Sequence, residues 1–377
     1  MATNGGHIYQ SLGIRPVINA GGNTTMWGGS TPSDVVRKAM DEADGSWVEM
    51  RELLDRSGEY IASVLEVEAA YVTSGCFAAL VLSTAACIAG TDPKKISILP
   101  DTTGMKNEIV ALRSLQYPYQ RSHLVAGGVL VEVGDEDGCT ESDLVGGLGN
   151  GTAAVAYIYQ PEVYPTDLAL EDVVRLAHAR DVPVIVDAAS EIYPLDHFKR
   201  TAQSGDLVCF GAKYINAPHS AGFVCGRKDL VAAVAQHSFI GFETTENPSL
   251  GRGYKLDRQD IVGVVAALGA WFSMDHEERL TDHRAMLAAI QGVLTGIPNV
   301  STKVVQSSIS AQLSLHVTLE KEIKGRDAQQ LFQELLNGSP RIRVSAPDGG
   351  TIAIVAHTLN DGEEIVIADR LRGLLIG

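Results

Sequence analysis

The sequence predicts an α/β protein. A mostly parallel, seven-stranded sheet covered by helices should be followed by a smaller α+β C-terminal domain. Three observations carry this. Short, nearly continuous apolar runs recur between residues 70 and 225, which is how strands buried on both faces read. Helical stretches lie between many of those runs, as in successive strand-helix-strand units. From about residue 275 the pattern changes to an alternating run with short helical and strand-like stretches, which suits an antiparallel sheet.

In chain order, residues 1–50 form an N-terminal arm with little periodicity. Gly21, Gly22, Gly28 and Gly29 make 19–31 a loop. A helix starts at Ser33 and Asp34 and runs to Met40. A second, over 49–65, places Met50, Leu53, Leu54, Ile61, Val64 and Leu65 on roughly one face. The large domain spans 51–256. Its strands are expected at 70–73, 96–99, 129–133, 153–159, 184–187, 206–210 and 222–225, and helices at 75–89, 105–115, 170–180 and 228–237. The connection before the last strand is short, which requires an antiparallel neighbour. A Gly-, Pro- and polar-rich loop, 238–256, leads to a long helix over 257–274. This linking helix and the small domain make up 257–377, with strands at 310–318, 342–344 and 351–356 and helices at 328–336 and 363–375.

Composition narrows the function. The chain has 377 residues, 45% hydrophobic and 20% charged, as in an ordinary globular enzyme. A formal net charge of −16 argues against a general nucleic-acid binder, which needs a basic surface. The opening MATNGGHIYQ has neither a charged n-region nor an apolar h-region, and the longest apolar run, 261–274, is too short to span a bilayer. A cytoplasmic protein is expected. The five cysteines show no CxxC and no metal-ligand spacing, so free thiols are expected and no metal. Cys76 stands apart, because a thiol at a helix N-terminus can have a lowered pKa.

The chemistry centres on residues 183–226. The run VIV delivers Asp187 at its end, and LVCF is followed three residues later by Lys213. Open α/β sheets bind ligands at the C-terminal edges of their strands. An acid and a lysine are thus offered to one crevice, and pyridoxal 5'-phosphate uses that pair. The amine forms a Schiff base with its aldehyde, and a carboxylate keeps its pyridine nitrogen protonated. Singly, each residue has an ordinary explanation, a structural aspartate and a surface lysine. A third element joins them. AAYVTSGCFAALVLSTAACIAG reads as strand, turn and small-residue helix, whose start at Ser74, Gly75 and Cys76 could cradle a phosphate.

With these motifs together, the chain resembles the fold-type I pyridoxal-phosphate enzymes. It is most similar to their selenocysteine synthase-like branch, which includes D-glucosaminate-6-phosphate ammonia-lyase. The resemblance rests on INAGGNTTMWGGSTPSDVVRKAM, WVEMRELLDRSGEYIA, the strand-turn-helix above, LPDTTGMKNEIV, VPVIVDAAS, GAKYINAPHSAGFVCG and RGYKLDRQDIVGVVAAL. It implies that Lys213 binds the cofactor and then moves the Cα proton, and that Asp187 pairs with the pyridinium. Ala189 would lie under the ring, and Ser74, Gly75 and Cys76 would hold the phosphate. Arg252 and Lys255 would approach that phosphate, often across a dimer interface. Asn19, Asp101, Thr102, His219 and Arg343 are candidate substrate contacts, with Arg341 beside the last.

Two departures stand out. Phe210 replaces a serine found in relatives shortly before the lysine. Leu115-Gln116 replaces a His-Arg pair, which leaves Tyr117 or Tyr119 to supply a ring-stacking partner. The implied reaction is a lyase acting on a small amino acid or amino-sugar acid, with ammonia release. A racemase or epimerase shares the early carbanion, and an aldolase or transaminase draws on the same electron sink. A selenocysteine synthase acting on aminoacyl-tRNA would need a basic docking surface, which the net charge argues against. A homodimer or higher homo-oligomer is expected.

Overall fold

A computed structural model describes residues 6–163, 168–244, 247–307, 312–346 and 348–376. The chain begins with helix α1 (Gly6–Ser11) and strand β1 (Val17–Asn19). Next come α2 (Asp34–Asp44) and α3 (Met50–Leu65), the latter capped by the Glu49 carboxylate on the Arg51 and Glu52 N–H groups. The order continues with β2 (Ala69–Thr73), α4 (Cys76–Ala89), α5 (Pro93–Ile98), β3 (Glu108–Leu112), α6 (Arg121–Val125), β4 (Val129–Val133) and α7 (Glu141–Gly147). Then follow β5 (Thr152–Ile158), α8 (Leu170–His178), β6 (Val184–Asp187), α9 (Leu195–Ala202), β7 (Leu207–Gly211), β8 (Gly222–Gly226), α10 (Lys228–His237), α11 (Phe239–Thr244) and α12 (Arg258–Ser273). The C-terminal part holds α13 (His276–Leu294), β9 (Val300–Gln306), β10 (Leu313–Leu319), α14 (Ala328–Asn337), β11 (Arg341–Arg343), β12 (Thr351–Val355) and α15 (Glu363–Leu375).

Two compact units result. One is Ser30–Ser273; the other combines Met1–Gly29 with Met274–Gly377. The larger unit contains a seven-stranded sheet in the order β2-β8-β7-β6-β5-β3-β4. The pairs β3/β4, β3/β5, β5/β6 and β6/β7 are parallel, and β8 runs antiparallel to both β7 and β2. In the smaller unit β12-β10-β9 is an antiparallel sheet and β1 pairs with β11 in parallel. The mostly parallel sheet of seven strands and the smaller α+β portion are therefore both present. Among the described residues no helix is long and apolar enough to cross a membrane.

Two assignments around residue 100 are corrected. Residues 96–98 belong to helix α5 and Leu99 ends it, because Asp92 caps the N–H groups of Lys94 and Lys95 and Pro93 fits the first helical position. Within 105–115 the β-branched run at the centre is strand β3, buried from Ile109 to Leu112, followed by a single 3-10 turn, Arg113–Leu115, with no α-helix there. The helix over 257–274 ends at Ser273, and α13 begins three residues later with Asp275 as its cap. The strand expected over 310–318 is β10. Its alternating burial is as read, while residues 310 and 311 lie outside the described residues.

Phe198, Phe210 and Phe223 are fully buried; Phe198 meets Phe210 edge to face with ring centroids 5.0 Å apart, and Phe210 stacks on Phe223 at 5.1 Å. Such contacts are each worth about 0.5–1.5 kcal/mol beyond their buried area. Phe210 therefore serves the core.

Two buried histidines give the large unit a pH dependence. Burial pulls His123 and His237 from the ordinary 6.5 down to about 4. His123 shares a 2.7 Å hydrogen bond with the Thr84 hydroxyl, and His237 Nε2 lies 3.0 Å from the Gly90 carbonyl. The unfolded chain binds these protons more readily. Stability is therefore complete above pH 6.5 and is lost as the pH falls toward 4, by up to roughly 3 kcal/mol for each histidine. The melting temperature should drop between pH 7 and pH 5, and H237Q should flatten that slope. An unchanged slope in H237Q would remove this histidine from the account.

Candidate active site

Asp187 is the last residue of β6 and sits mid-sheet, in register with Ile158 of β5 and Cys209 of β7. Lys213 lies in the single turn Ala212–Ile215 that follows β7. Because β6 and β7 are parallel neighbours, acid and amine leave the sheet at one edge. Strand β2 is antiparallel to β8, which is antiparallel to β7, so Thr73 ends at that edge too. Beyond it, Gly75 adopts φ +87° as the cap of α4, a conformation that favours glycine. The first N–H groups of α4 then face outward from a helix with no acid in its first turn.

The lysine loop packs directly on this turn. A Cβ on Gly222 would lie 2.7 Å from the Gly75 carbonyl carbon and 2.8 Å from the Cys76 nitrogen. Backbone bonds from Ala212 to Ala221 and from Ala217 to Ala212, both 3.1 Å, fix the loop. Ser220 donates to Asp260 on α12 at 2.9 Å.

The electrostatics at this edge are unusual. Asp187 is only 5% exposed. Burial pushes its acidity toward the neutral form, while hydrogen bonds from Tyr117, Cys76 and the Ala189 N–H pull it back toward the carboxylate. The Tyr117 hydroxyl donates to Oδ2 at 2.6 Å; Cys76 Sγ and the Ala189 N–H donate to Oδ1 at 3.4 and 3.2 Å. The Cys76 thiol is pushed well up by burial and by the Asp187 charge. It is therefore a held thiol, contrary to the lowered pKa that its helix position suggests. Burial lowers the Lys213 pKa and so favours the free amine. Its Nζ stands 4.9 Å from the Tyr214 ring centre. Half-buried His219 has an Nδ1 that is shielded from solvent and has no hydrogen-bond partner among the described residues. Burial, and next the Lys213 charge, lower the pKa of that imidazole.

Two of the expected residues, Asp101 and Thr102, lie away from this edge. Asp101 and Thr102 follow a helix and precede β3, at the opposite edge from Asp187. Asp101 accepts from Thr103, and the Thr102 hydroxyl bonds the Gly127 carbonyl. Arg252 pairs with Glu243 at 2.7 Å on the surface, and Lys255 follows that turn. Asn19 and Arg343 belong to the smaller unit, where they are joined at 3.1 Å. Arg341 and Arg343 lie 5.7 and 5.9 Å from the Trp27 ring centre.

Sequence reasoning missed two partnerships. Glu191 is buried and bonded to His197 at 3.0 Å, where a surface carboxylate is the ordinary reading. Tyr117 reaches Asp187 from a different strand, and no local pattern signals that. These residues fit pyridoxal phosphate. A sheltered carboxylate, an amine whose pKa is lowered by burial and a helix start opened by glycine are what its nitrogen, aldehyde and phosphate require.

No family model matches the sequence. The chain is 32% identical over 98% of its length to a Streptomyces 5'-C-glycyluridine monooxygenase-decarboxylase, covering 92% of that protein. It is 31% identical over 97% of both chains to the D-glucosaminate-6-phosphate ammonia lyase of Salmonella typhimurium. A solved D-glucosaminate-6-phosphate ammonia-lyase superposes with TM-score 0.85 at 28% identity, covering 100% of this chain and 99% of that one. L-seryl-tRNA(Sec) selenium transferase of Rhizobium meliloti matches at 28% identity over 44% of the chain and 36% of its own. With the sheet order, the edge that holds Asp187 and Lys213, and these relatives together, the chain belongs to the pyridoxal-phosphate-dependent enzymes of fold-type I, in the selenocysteine synthase-like branch that holds D-glucosaminate-6-phosphate ammonia-lyase.

Proposed function

We propose that the protein is an ammonia-lyase acting on a small amino-sugar acid or amino acid. The observation that carries this is the pairing of β6 with β7, which delivers a buried carboxylate and a burial-weakened amine to one sheet edge. The name of the Salmonella relative supports the substrate class. Bound pyridoxal phosphate supplies an electron sink for charge developing at the substrate Cα.

The chain's own groups do the rest. The Lys213 amine anchors the cofactor at rest and, once displaced by substrate, takes the proton from Cα. Asp187 holds a positive charge on the ring nitrogen. The Cys76 N–H at the start of α4, with the Ser74 hydroxyl, holds the phosphate; Gly75 opens the turn, its own N–H on the Thr73 carbonyl at 2.9 Å, and Ala189 leaves room under the ring. His219, neutral and beside Lys213, is suited to carry a proton to the departing group. A homodimer or a multiple of one is part of this reading. The acidic chain favours a small-molecule substrate over aminoacyl-tRNA.

The Streptomyces relative supports a second reading, decarboxylation with oxygen. One incubation separates them. Purified holoenzyme with D-glucosaminate 6-phosphate should release ammonia with no oxygen uptake. Oxygen-dependent release of carbon dioxide, without ammonia, would overturn the lyase reading in favour of the second.

A further inference from the structure

Tyr117 lies beyond β3 in an extended conformation, φ −152° and ψ 158°, between two single 3-10 turns, Arg113–Leu115 and Pro118–Gln120. Pro118 restricts it to that conformation. Buried Leu115 anchors the loop from below. The side chain thus reaches the end of β6 from a strand two places away, since β5 lies between β3 and β6.

Its hydroxyl makes the shortest hydrogen bond on Asp187, 2.6 Å to Oδ2, against 3.2 and 3.4 Å for the two donors on Oδ1. Burial and the adjacent Asp187 charge raise the tyrosine's pKa far above its ordinary value. The phenol stays protonated and can only donate to the carboxylate. Behind the pair is a void of about 10 Å³, lined in part by Tyr117, Gln120, His123, Tyr157 and Asp187. That is about the room one water needs, and the rest of its lining is apolar, from Leu80, Leu112, Leu115, Ala156, Ile158 and Ile185. The titratable groups that face Asp187 are Tyr117, Cys76 of α4, Cys209 of β7 and Tyr214 of the lysine turn. Each is held neutral by burial. The carboxylate's charge therefore depends on donated hydrogen bonds, and Tyr117 makes the closest.

We propose that Tyr117 is the positioning residue of the site: by donating its hydroxyl to Oδ2 it fixes the Asp187 carboxylate toward the ring nitrogen of the cofactor. This rests on the pairing of Asp187 with that nitrogen under Proposed function. Removing the hydroxyl leaves burial dominant, and the carboxyl then takes up its proton at higher pH. A neutral carboxyl holds the ring nitrogen less well.

The test uses apoenzyme titrated with free pyridoxal 5'-phosphate across pH 5–9 (tyrosine-only and cofactor absorption both recorded), for wild type, Y117F, D187N and the double variant. Phenylalanine keeps the ring and its packing, and circular dichroism checks the fold. Y117F should weaken cofactor binding roughly tenfold at neutral pH and move the acid-side loss of binding upward by about one pH unit. In the D187N background Y117F should change neither quantity, because the two residues act as one unit. Uniformly weaker binding with an unmoved acid limb would make Tyr117 a packing residue and overturn the proposal, as would unchanged binding. If D187N itself leaves affinity and absorption untouched, the pairing of Asp187 fails, and the proposal falls with it.

Discussion

Replacing Lys213 by alanine is expected to abolish the visible absorption of the lysine-bound cofactor and to lower turnover by on the order of 10³-fold or more. The amine is positioned by a turn that cannot drift, because Gly222 holds it against the start of α4 at backbone contact. Burial already biases it toward the unprotonated form that attacks an aldehyde and accepts a proton. Nothing in the replacement disturbs the sheet, since Lys213 lies beyond the end of β7. The measurement is the spectrum of reconstituted K213A, followed by ammonia release from D-glucosaminate 6-phosphate. A variant that retained both band and turnover would move the covalent role to another amine.

The second large effect is expected at Asp187. D187N keeps the shape, and its single amide oxygen can still accept either from Tyr117 or from Cys76 and the Ala189 N–H, so folding should survive. It cannot hold a positive charge opposite itself. Leaving one member of a buried charge pair alone costs about 3–5 kcal/mol, which corresponds to roughly 10²–10⁴-fold in turnover. Acid should imitate the substitution. Net burial has raised the carboxyl's pKa, so activity should fall on the acid side as Asp187 takes up a proton. That limb should vanish from the residual activity of D187N. A D187N enzyme with wild-type turnover and the same acid limb would remove Asp187 from the chemistry.

The sheet edge was legible because its signals are local. A continuous apolar run that ends in Asp187, another followed by Lys213, and a glycine between a strand and a small-residue helix each occupy a few neighbouring positions. The region 93–112 was misread because short apolar runs look alike as strand or helix. There the decision rested with the Asp92 cap and with β-branched packing of Ile109 and Val110. The bonds of Tyr117 to Asp187 and of His197 to Glu191 were not legible. The first links residues 70 positions apart; in the second, burial of Glu191 comes from the fold and not from its neighbours. Strand β9 also escaped, because it is largely exposed and carries little apolar pattern.

The antiparallel position of β8 has a consequence for how the enzyme is made. Ala69 pairs with Gly226, so the strand that leads to the proposed phosphate turn waits for the last strand of its sheet. A growing chain has no complete cradle until synthesis has passed residue 226. Long-range pairings of this kind close late and slowly, since a large loop must lose its freedom first. Pyridoxal phosphate can then recognise only finished molecules, and by binding them alone it draws late folding intermediates toward the native state by mass action. Cofactor supply during synthesis would thus act as a selector for correctly closed sheets.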